Sequence, residues 1–275
     1  HIARSTLELA ARYRGAATDT VDLLSDMQGL ALDIAARTMF SLEIGEYGAA
    51  LRTLIARYRA RLGKPTLFDV VLPLSIRTPR DFARRRFRPH WTGLVDAIID
   101  QRLTAPPGDP PRDLFDHLLR ASNGTSGAPL SRGQLRDQVS TMIVAGHETS
   151  ALAMFWSLYL LASAPEIQER VAAEASAVPT KPEDIGACLP DLPYTRAVVN
   201  ETLRLYPPAF LIARETVGDD TCDGIAVPAG ALIIISPWVL GRHQRLWSDP
   251  DAFEPERFIG GEAPPRYAHM PFGGG

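Results

Sequence analysis

The sequence predicts a mainly α-helical chain with small β-sheets toward its C-terminal end, and three observations carry that expectation. Apolar residues recur at three and four residue spacing through most of the chain up to about residue 206. A full set of helix-start signals stands at Ser131, ahead of the most apolar stretch. After Tyr206-Pro207-Pro208 the texture changes to short β-prone runs punctuated by turn residues. Residues 1–275 are expected to form one domain, helical over 1–206 and rich in strands and loops over 207–275.

Taken in order, the helical spacing is clearest in Val21 to Phe40, Leu94 to Leu103 and Leu114 to Leu119. Pro106-Pro107-Gly108-Asp109-Pro110-Pro111 separates two of these helices, and Asn123-Gly124-Thr125-Ser126-Gly127 predicts another loop. At Ser131 the side chain is placed to cap, Gln134 to close a capping box, and Leu130 to face Leu135 as a hydrophobic staple. The helix that begins there runs to about Ala164, where Pro165 suits the first turn of the next one. At 1.5 Å per residue this central helix, about 131–164, is roughly 50 Å long. Beyond Pro208, Asp223-Gly224 predicts a hairpin turn, Pro228-Ala229-Gly230 a second turn, and Ile233-Ile234-Ile235 a buried strand.

Composition narrows the function. A net charge of -3 and a pI near 6.1 argue against a nucleic-acid partner bound by phosphate neutralisation. The two cysteines, Cys188 and Cys222, are too few and too poorly spaced for a zinc cluster and suit a reducing compartment. The most apolar stretch, Val139 to Ala164, is interrupted by His147 and Glu148, so it reads as a buried helix and not a membrane span. Arg84-Arg85-Arg86-Phe87-Arg88, with Arg77 and Arg80 nearby, reads most simply as a solvated helix face.

Four groups of residues carry chemistry. Inside the long helix, Ala145-Gly146-His147-Glu148-Thr149 places a glycine, two ionisable groups and a hydroxyl where apolar filler is more stable. Small side chains at Ala145 and Gly146 let a planar ligand approach, and Thr149 is able to bond back to a helix carbonyl. His147-Glu148 lacks the second histidine of a zinc-protease helix, since Ala151 stands there. Next, Glu201 and Arg204 in Asn200-Glu201-Thr202-Leu203-Arg204-Leu205 share one helix face. Arg257, in Phe253-Glu254-Pro255-Glu256-Arg257-Phe258, is a candidate third partner that ties a C-terminal loop to that helix. The chain closes on Pro271-Phe272-Gly273-Gly274-Gly275, a backbone free to approach a flat group closely.

In this order and at these separations the groups resemble the cytochrome P-450 superfamily, the haem-thiolate monooxygenases. Ala145 to Thr149 is similar to the oxygen-activation motif of its long central helix, and Glu201 with Arg204 to its Glu-x-x-Arg pair. Arg257 matches the arginine of its Pro-Glu-Arg-Phe motif, and Phe272 with Gly275 the opening of its Phe-x-x-Gly-x-Arg-x-Cys haem loop. Arg214, in Ala213-Arg214-Glu215-Thr216, resembles the position that binds a haem propionate. The run from Arg242 to Pro250 also resembles the family, with Gly241 and Gln244 departing from its more usual histidine and proline.

The resemblance implies a cytochrome P-450 fold truncated at both ends, with the ligand cysteine four positions past Gly275, so this chain by itself is expected to be inactive. Neither Cys188 nor Cys222 has the preceding pattern of that ligand. For the complete protein it implies haem b (iron protoporphyrin IX), dioxygen, an apolar small-molecule substrate and an electron-donor protein, a ferredoxin or flavoprotein reductase. Glu148 and Thr149 are then the catalytic residues. Ala145, Gly146, Thr149, Arg214, Phe272 and Gly275 line the cofactor, and Glu201, Arg204 and Arg257 form a structural network. A cytoplasmic location is expected. Two alternatives stand beside this reading: a truncated or degenerate member acting without haem as a non-catalytic module, and a metal hydrolase using His147 and Glu148.

Overall fold

The computed structural model describes residues 1–15, 20–42, 45–62, 78–104, 106–122, 130–179, 181–260 and 264–274. The expected loop at 123–127 and the last glycine, Gly275, lie outside them. Contacts divide the chain into two compact units, one of residues 1–21 and 28–148, the other of residues 22–27 and 149–275.

Among the described residues the regular structure of the first unit is all helical. It holds α1 (Ile2–Arg14), most of α2 (Leu23–Phe40), α3 (Gly45–Arg61), α4 (Pro79–Leu103), α5 (Leu114–Ser122) and the first half of α6 (Arg132–Ser163). Helix α6 begins where its capping signals place it. Ser131 N–H donates to Gln134 Oε1 at 2.9 Å and Gln134 N–H donates to Ser131 Oγ at 3.3 Å. Its 32 residues make a rod of roughly 48 Å. The core unites Leu32 and Phe40 of α2, Leu51 of α3, Val95, Ile98 and Ile99 of α4, Phe115 of α5, and Val139 and Ile143 of α6. Helices α4 and α6 run antiparallel, pinned by Trp91 Nε1 donating to Ser140 Oγ at 3.1 Å and by Arg136 Nε donating to Asp96 Oδ1 at 2.9 Å.

The proline-rich break between α4 and α5 is organised by a buried charge network. Asp116 accepts from Arg102 Nη2 at 2.9 Å, from Arg112 Nε at 2.8 Å and from the N–H of Gly108 at 2.9 Å. Arg102 also donates to Asp113 at 2.9 Å. The side chains of Asp113 and Asp116 are each 1% exposed, so their charges are kept only because every oxygen has donors.

In the second unit α6 ends at Ser163 and turns by 115° into α7 (Pro165–Ala175). Two short helical segments, α8 (Pro182–Ile185) and a 3-10 turn (Gly186–Asp191), lead to α9 (Pro193–Leu205). Glu174 of α7 serves the start of α9, accepting from the N–H groups of Tyr194 and Thr195, both at 2.8 Å. Helix starts leave such donors without partners, and a carboxylate there also suits the helix dipole. Four short strands follow, β1 (Ile212–Glu215), β2 (Asp220–Cys222), β3 (Ile225–Val227) and β4 (Leu232–Ile235), then α10 (Pro237–Leu240) and a 3-10 turn (Pro255–Phe258). Strands β2 and β3 form the hairpin expected at Asp223-Gly224, whose φ values of 49° and 79° give the left-handed turn that asparagine, aspartate and glycine favour.

Strand β4 corrects one expectation. Ile233-Ile234-Ile235 is a strand but not a buried one, with Ile233 39% and Ile234 60% exposed. Among the described residues it pairs with β1 only, Ile212 opposite Ile235 and Glu215 opposite Leu232, and a two-stranded ribbon leaves most of both faces uncovered. Among the described residues no single helix is long and apolar enough to cross a membrane.

The Asp116 network sets a test by stability. The hydrogen bond from Arg112 holds the Asp116 carboxyl well below the ordinary value near 3.8, against the opposing effect of burial. Its contribution is therefore present above about pH 4 and lost as pH falls below it. Asp116→Asn is expected to lower unfolding stability by about 3 kcal/mol at pH 7. In denaturant melts the gap from wild type should close on acidification below pH 4.

Candidate functional site

Helix α9 ends in Glu201-Thr202-Leu203-Arg204-Leu205, and every one of these side chains is buried. Glu201 and Arg204 sit three apart on one face, with both side chains 0% exposed. Arg204 Nε donates to Glu201 Oε2 at 2.6 Å and Nη2 donates to Oε1 at 2.7 Å. The rest of the guanidinium reaches across to the C-terminal segment. Nη1 donates to the carbonyls of Gly241 at 2.5 Å and Pro250 at 2.6 Å, and Nη2 donates to that of Ala252 at 2.9 Å. All five N–H donors are thereby used, which no other side chain is able to match.

Glu201 Oε1 also accepts from the N–H of Glu254 at 2.9 Å. Arg257 joins from the far side. Its Nε stands 3.4 Å from Glu201 Oε1, its Nη2 donates to Asp249 O at 2.9 Å and its Nη1 to Ser248 Oγ at 3.2 Å. The three residues expected as a network are thus brought together, but Arg204, not Arg257, makes most of the ties to the C-terminal loops. Trp247 lies over the guanidinium, 5.1 Å from its ring centre, and is itself fixed by Nε1 donating to Leu240 O at 3.1 Å.

Two residues of this assembly carry no signal in the sequence on their own. A Cβ at Gly241 would lie 2.3 Å from the carbonyl oxygen of Arg204, so this position accepts no side chain. Its visible sign was only a departure from the family's more usual histidine. His269 packs on Phe258, with ring centres 4.9 Å apart. Burial pushes its imidazole below the ordinary range, with the positive charge of Arg204 acting the same way and Glu201 against it.

Next to the network the C-terminal segment borders a cavity of about 590 Å³. Ile212, Ile235, Leu240 and Met270 give it apolar walls, and Arg214 and Arg266 give it two guanidinium groups. Gly274 lines it where a Cβ would come within 3.1 Å of Met270 Cε, and Gly273 has φ 87°, open to glycine at little cost. An apolar cavity with two cations at its margin fits an apolar macrocycle that bears anionic side groups, as haem does. Arg214 and Gly274 thus meet in one place. Phe272 is 90% exposed beside them.

The residues expected on α6 fall in both units. Ala145 is exposed, while Gly146 lies against Met39, whose Cε would stand 2.7 Å from an added Cβ. The missing side chain at 146 thereby admits a partner from α2 in the first unit. His147 is 2% exposed and Glu148 half-buried, and Thr149, where the chain passes into the second unit, is exposed. Among the described residues no three His, Cys, Asp or Glu stand together as metal ligands.

Gly241 gives the sharpest test of this site. Gly241→Ala is expected to cost about 3 kcal/mol, because the methyl group meets backbone and not a movable side chain. Gly218→Ala, with nothing within 4 Å of the added carbon, should change stability by less than about 0.5 kcal/mol. Thermal or denaturant melts of the two variants check the contrast.

Comparison with known proteins places this geometry. The family model described as Cytochrome P-450 matches residues 2–275. Cyclooctat-9-en-7-ol 5-monooxygenase of Streptomyces melanosporofaciens is 35% identical over 263 residues, covering 93% of this chain and 56% of that protein. Pentalenene oxygenase of Streptomyces avermitilis is 30% identical over 239 residues, covering 87% and 53%. The chain therefore spans about half the length of the curated relatives it matches. Among solved structures, a retinoic acid bound cyanobacterial member superposes with a TM-score of 0.79 at 26% identity, over 100% of this chain and 62% of that one. The buried Glu201–Arg204 pair, the Arg214 cavity and the match over 2–275 together establish that the chain belongs to the cytochrome P-450 family.

Proposed function

We propose that the complete protein is a haem-dependent monooxygenase that inserts one oxygen atom of dioxygen into an apolar organic substrate, with electrons from a partner protein. The observation that carries this reading is the cavity walled by apolar side chains and margined by Arg214 and Arg266, on a chain matched to the family along its length. Haem b, when bound, would supply the redox-active iron for dioxygen chemistry. The chain's own residues bind, position and deliver protons.

Arg214 would hold a propionate through a charge-assisted hydrogen bond, and Phe272 with the glycines that follow it would border the macrocycle. Ala145 would keep α6 free of bulk beside the oxygen site, whereas the bare position at Gly146 is taken up by Met39 and would contribute backbone only. The Thr149 hydroxyl would hold a proton at Oγ1 for the oxygen chemistry, and the Glu148 carboxylate would renew that proton from solvent. Glu201, Arg204 and Arg257 take no part in the chemistry and hold the C-terminal loop in register. The names of two relatives, a 5-monooxygenase and an oxygenase, support the reaction class. No observation favours the haem-free module.

Thr149→Ala in the full-length protein tests the proton role. Reduced, carbon-monoxide-treated samples should keep the red-shifted absorption of a thiolate-ligated haem. Product formed per electron pair should fall roughly tenfold, within the range that positioned proton donors contribute. Unchanged coupling would remove Thr149 from the mechanism.

A further inference from the structure

The oxygen chemistry gives no role to His269. Its neighbours Tyr267, Ala268 and Met270 line the cavity of the second unit, whereas its own ring packs on Phe258, with ring centres 4.9 Å apart and planes tilted by 53°. From there a stack leads back to the buried pair. Phe258 stands 6.0 Å from Trp247, and Trp247 lies 5.1 Å from the Arg204 guanidinium. His269 thus ends a line of contacts that runs from Arg204 to the cavity wall. Among the described residues the backbone bonds of this wall are local turns, Ala268 N–H donating to Pro265 O at 2.9 Å and Gly273 N–H to Met270 O at 3.2 Å. The wall is therefore held to α9 by side chains.

The surroundings of the ring favour its neutral form. Its Nε2 is buried and meets no hydrogen-bond partner among the described residues. An enclosed nitrogen without an acceptor suits a lone pair, because a proton there would make a buried donor with nothing to receive it. The nearby charges are divided. Arg204 of α9 and Arg257 of the Pro255–Phe258 turn share one buried carboxylate, Glu201, and the exposed Glu254 stands beside Arg257. Arg266, on the same segment as His269, lies over the Tyr267 ring at 4.6 Å. Burial pushes the imidazole below its ordinary value near 6.5 and Arg204 adds to the effect, against the opposing pull of the Asn200 backbone and of Glu201.

We propose that His269 is a positioning residue, a clamp that holds the cavity wall of residues 266–272 to the Arg204 network while its ring is neutral and releases the wall when the ring is protonated. In the released wall the imidazole is solvated and takes its ordinary value. The clamp is therefore complete above about pH 6.5 and weakens roughly tenfold for each pH unit below it, until the ring is protonated in place. As a pH-dependent clamp this stands on the contacts of His269 alone. That the wall it holds serves haem rests on the monooxygenase reading.

Amide exchange of the full-length protein tests it, read as protection factors at about pH 7.5 and about pH 5.5. Protection of Ala268 N–H should fall roughly tenfold on acidification, while that of Leu203 in α9 holds. His269→Phe keeps a ring against Phe258 but cannot titrate, so its Ala268 protection should stay level. In wild type labelled with carbon-13 at the histidine rings, His269 should titrate below 6.5. Level protection of Ala268 in wild type, an equal fall in His269→Phe, or a ring that titrates at or above 6.5 would overturn the clamp, and the two wild-type measurements decide this without the variant. The carbon-monoxide spectrum of the same samples reports the haem side, where the red-shifted band should weaken at the lower pH in wild type and persist in His269→Phe. A band that persists while Ala268 loses protection would overturn the link to haem and leave the clamp. A band missing from both proteins at both pH values would overturn the monooxygenase reading instead, so the two failures are told apart.

Discussion

The second unit depends on one guanidinium. Arg204 brings together backbone carbonyls from positions 241, 250 and 252, which are far apart in sequence and lie in segments with little regular structure. Such loops have few ladders of their own to satisfy their polar groups. Arg204 supplies the donors, and Glu201 supplies both the counter-charge that makes a buried guanidinium tolerable and the acceptor for Glu254 N–H. Removing either partner strands the other in a site with no access to water, so the pair works as a unit. The geometry also explains why α9 stops where it does. Its last turn must present Arg204 to the loops, and Tyr206-Pro207-Pro208 prevents the helix from running past them.

The first unit solves a similar problem with opposite chemistry. There the irregular segment is the proline-rich break before α5, and the organising group is a carboxylate, Asp116, with donors from two arginines and two backbone amides. In both units a fully satisfied buried charge, and not a larger apolar core, holds a loop against a helix. The apolar core of the first unit does different work. It packs α2 to α6 around Val95, Phe115 and Val139, all 0% exposed, and so fixes the register of α6, on which Ala145 to Glu148 are displayed.

Much of this was legible in the sequence, for reasons that are local. The start of α6 was readable because a capping box is made by residues three apart, and the β2–β3 turn because Asp223-Gly224 has few other uses. Glu201 and Arg204 were readable as partners by spacing alone. Their burial was not, since the same spacing describes an ordinary surface pair. Arg257 was readable as a candidate third partner from guanidinium chemistry, but no local spacing supports it, since it lies more than fifty residues from Glu201. What escaped depends on residues distant in sequence. The bareness of Gly241 is set by the Arg204 carbonyl, the neighbour of Gly146 is Met39, and the exposure of Ile234 follows from how few strands pair with β4. An isoleucine run states that a strand is apolar but not what covers it.

If Arg204 organises the second unit, α9 and the loops it binds should open together. Native-state hydrogen exchange of the full-length protein under mild denaturant measures this directly. The amide of Glu254, bonded to Glu201, and those of Thr202 to Leu205 should share one opening free energy that falls with denaturant along a common slope. Exchange of Glu254 through a small local opening, while the end of α9 stays protected, would contradict the account.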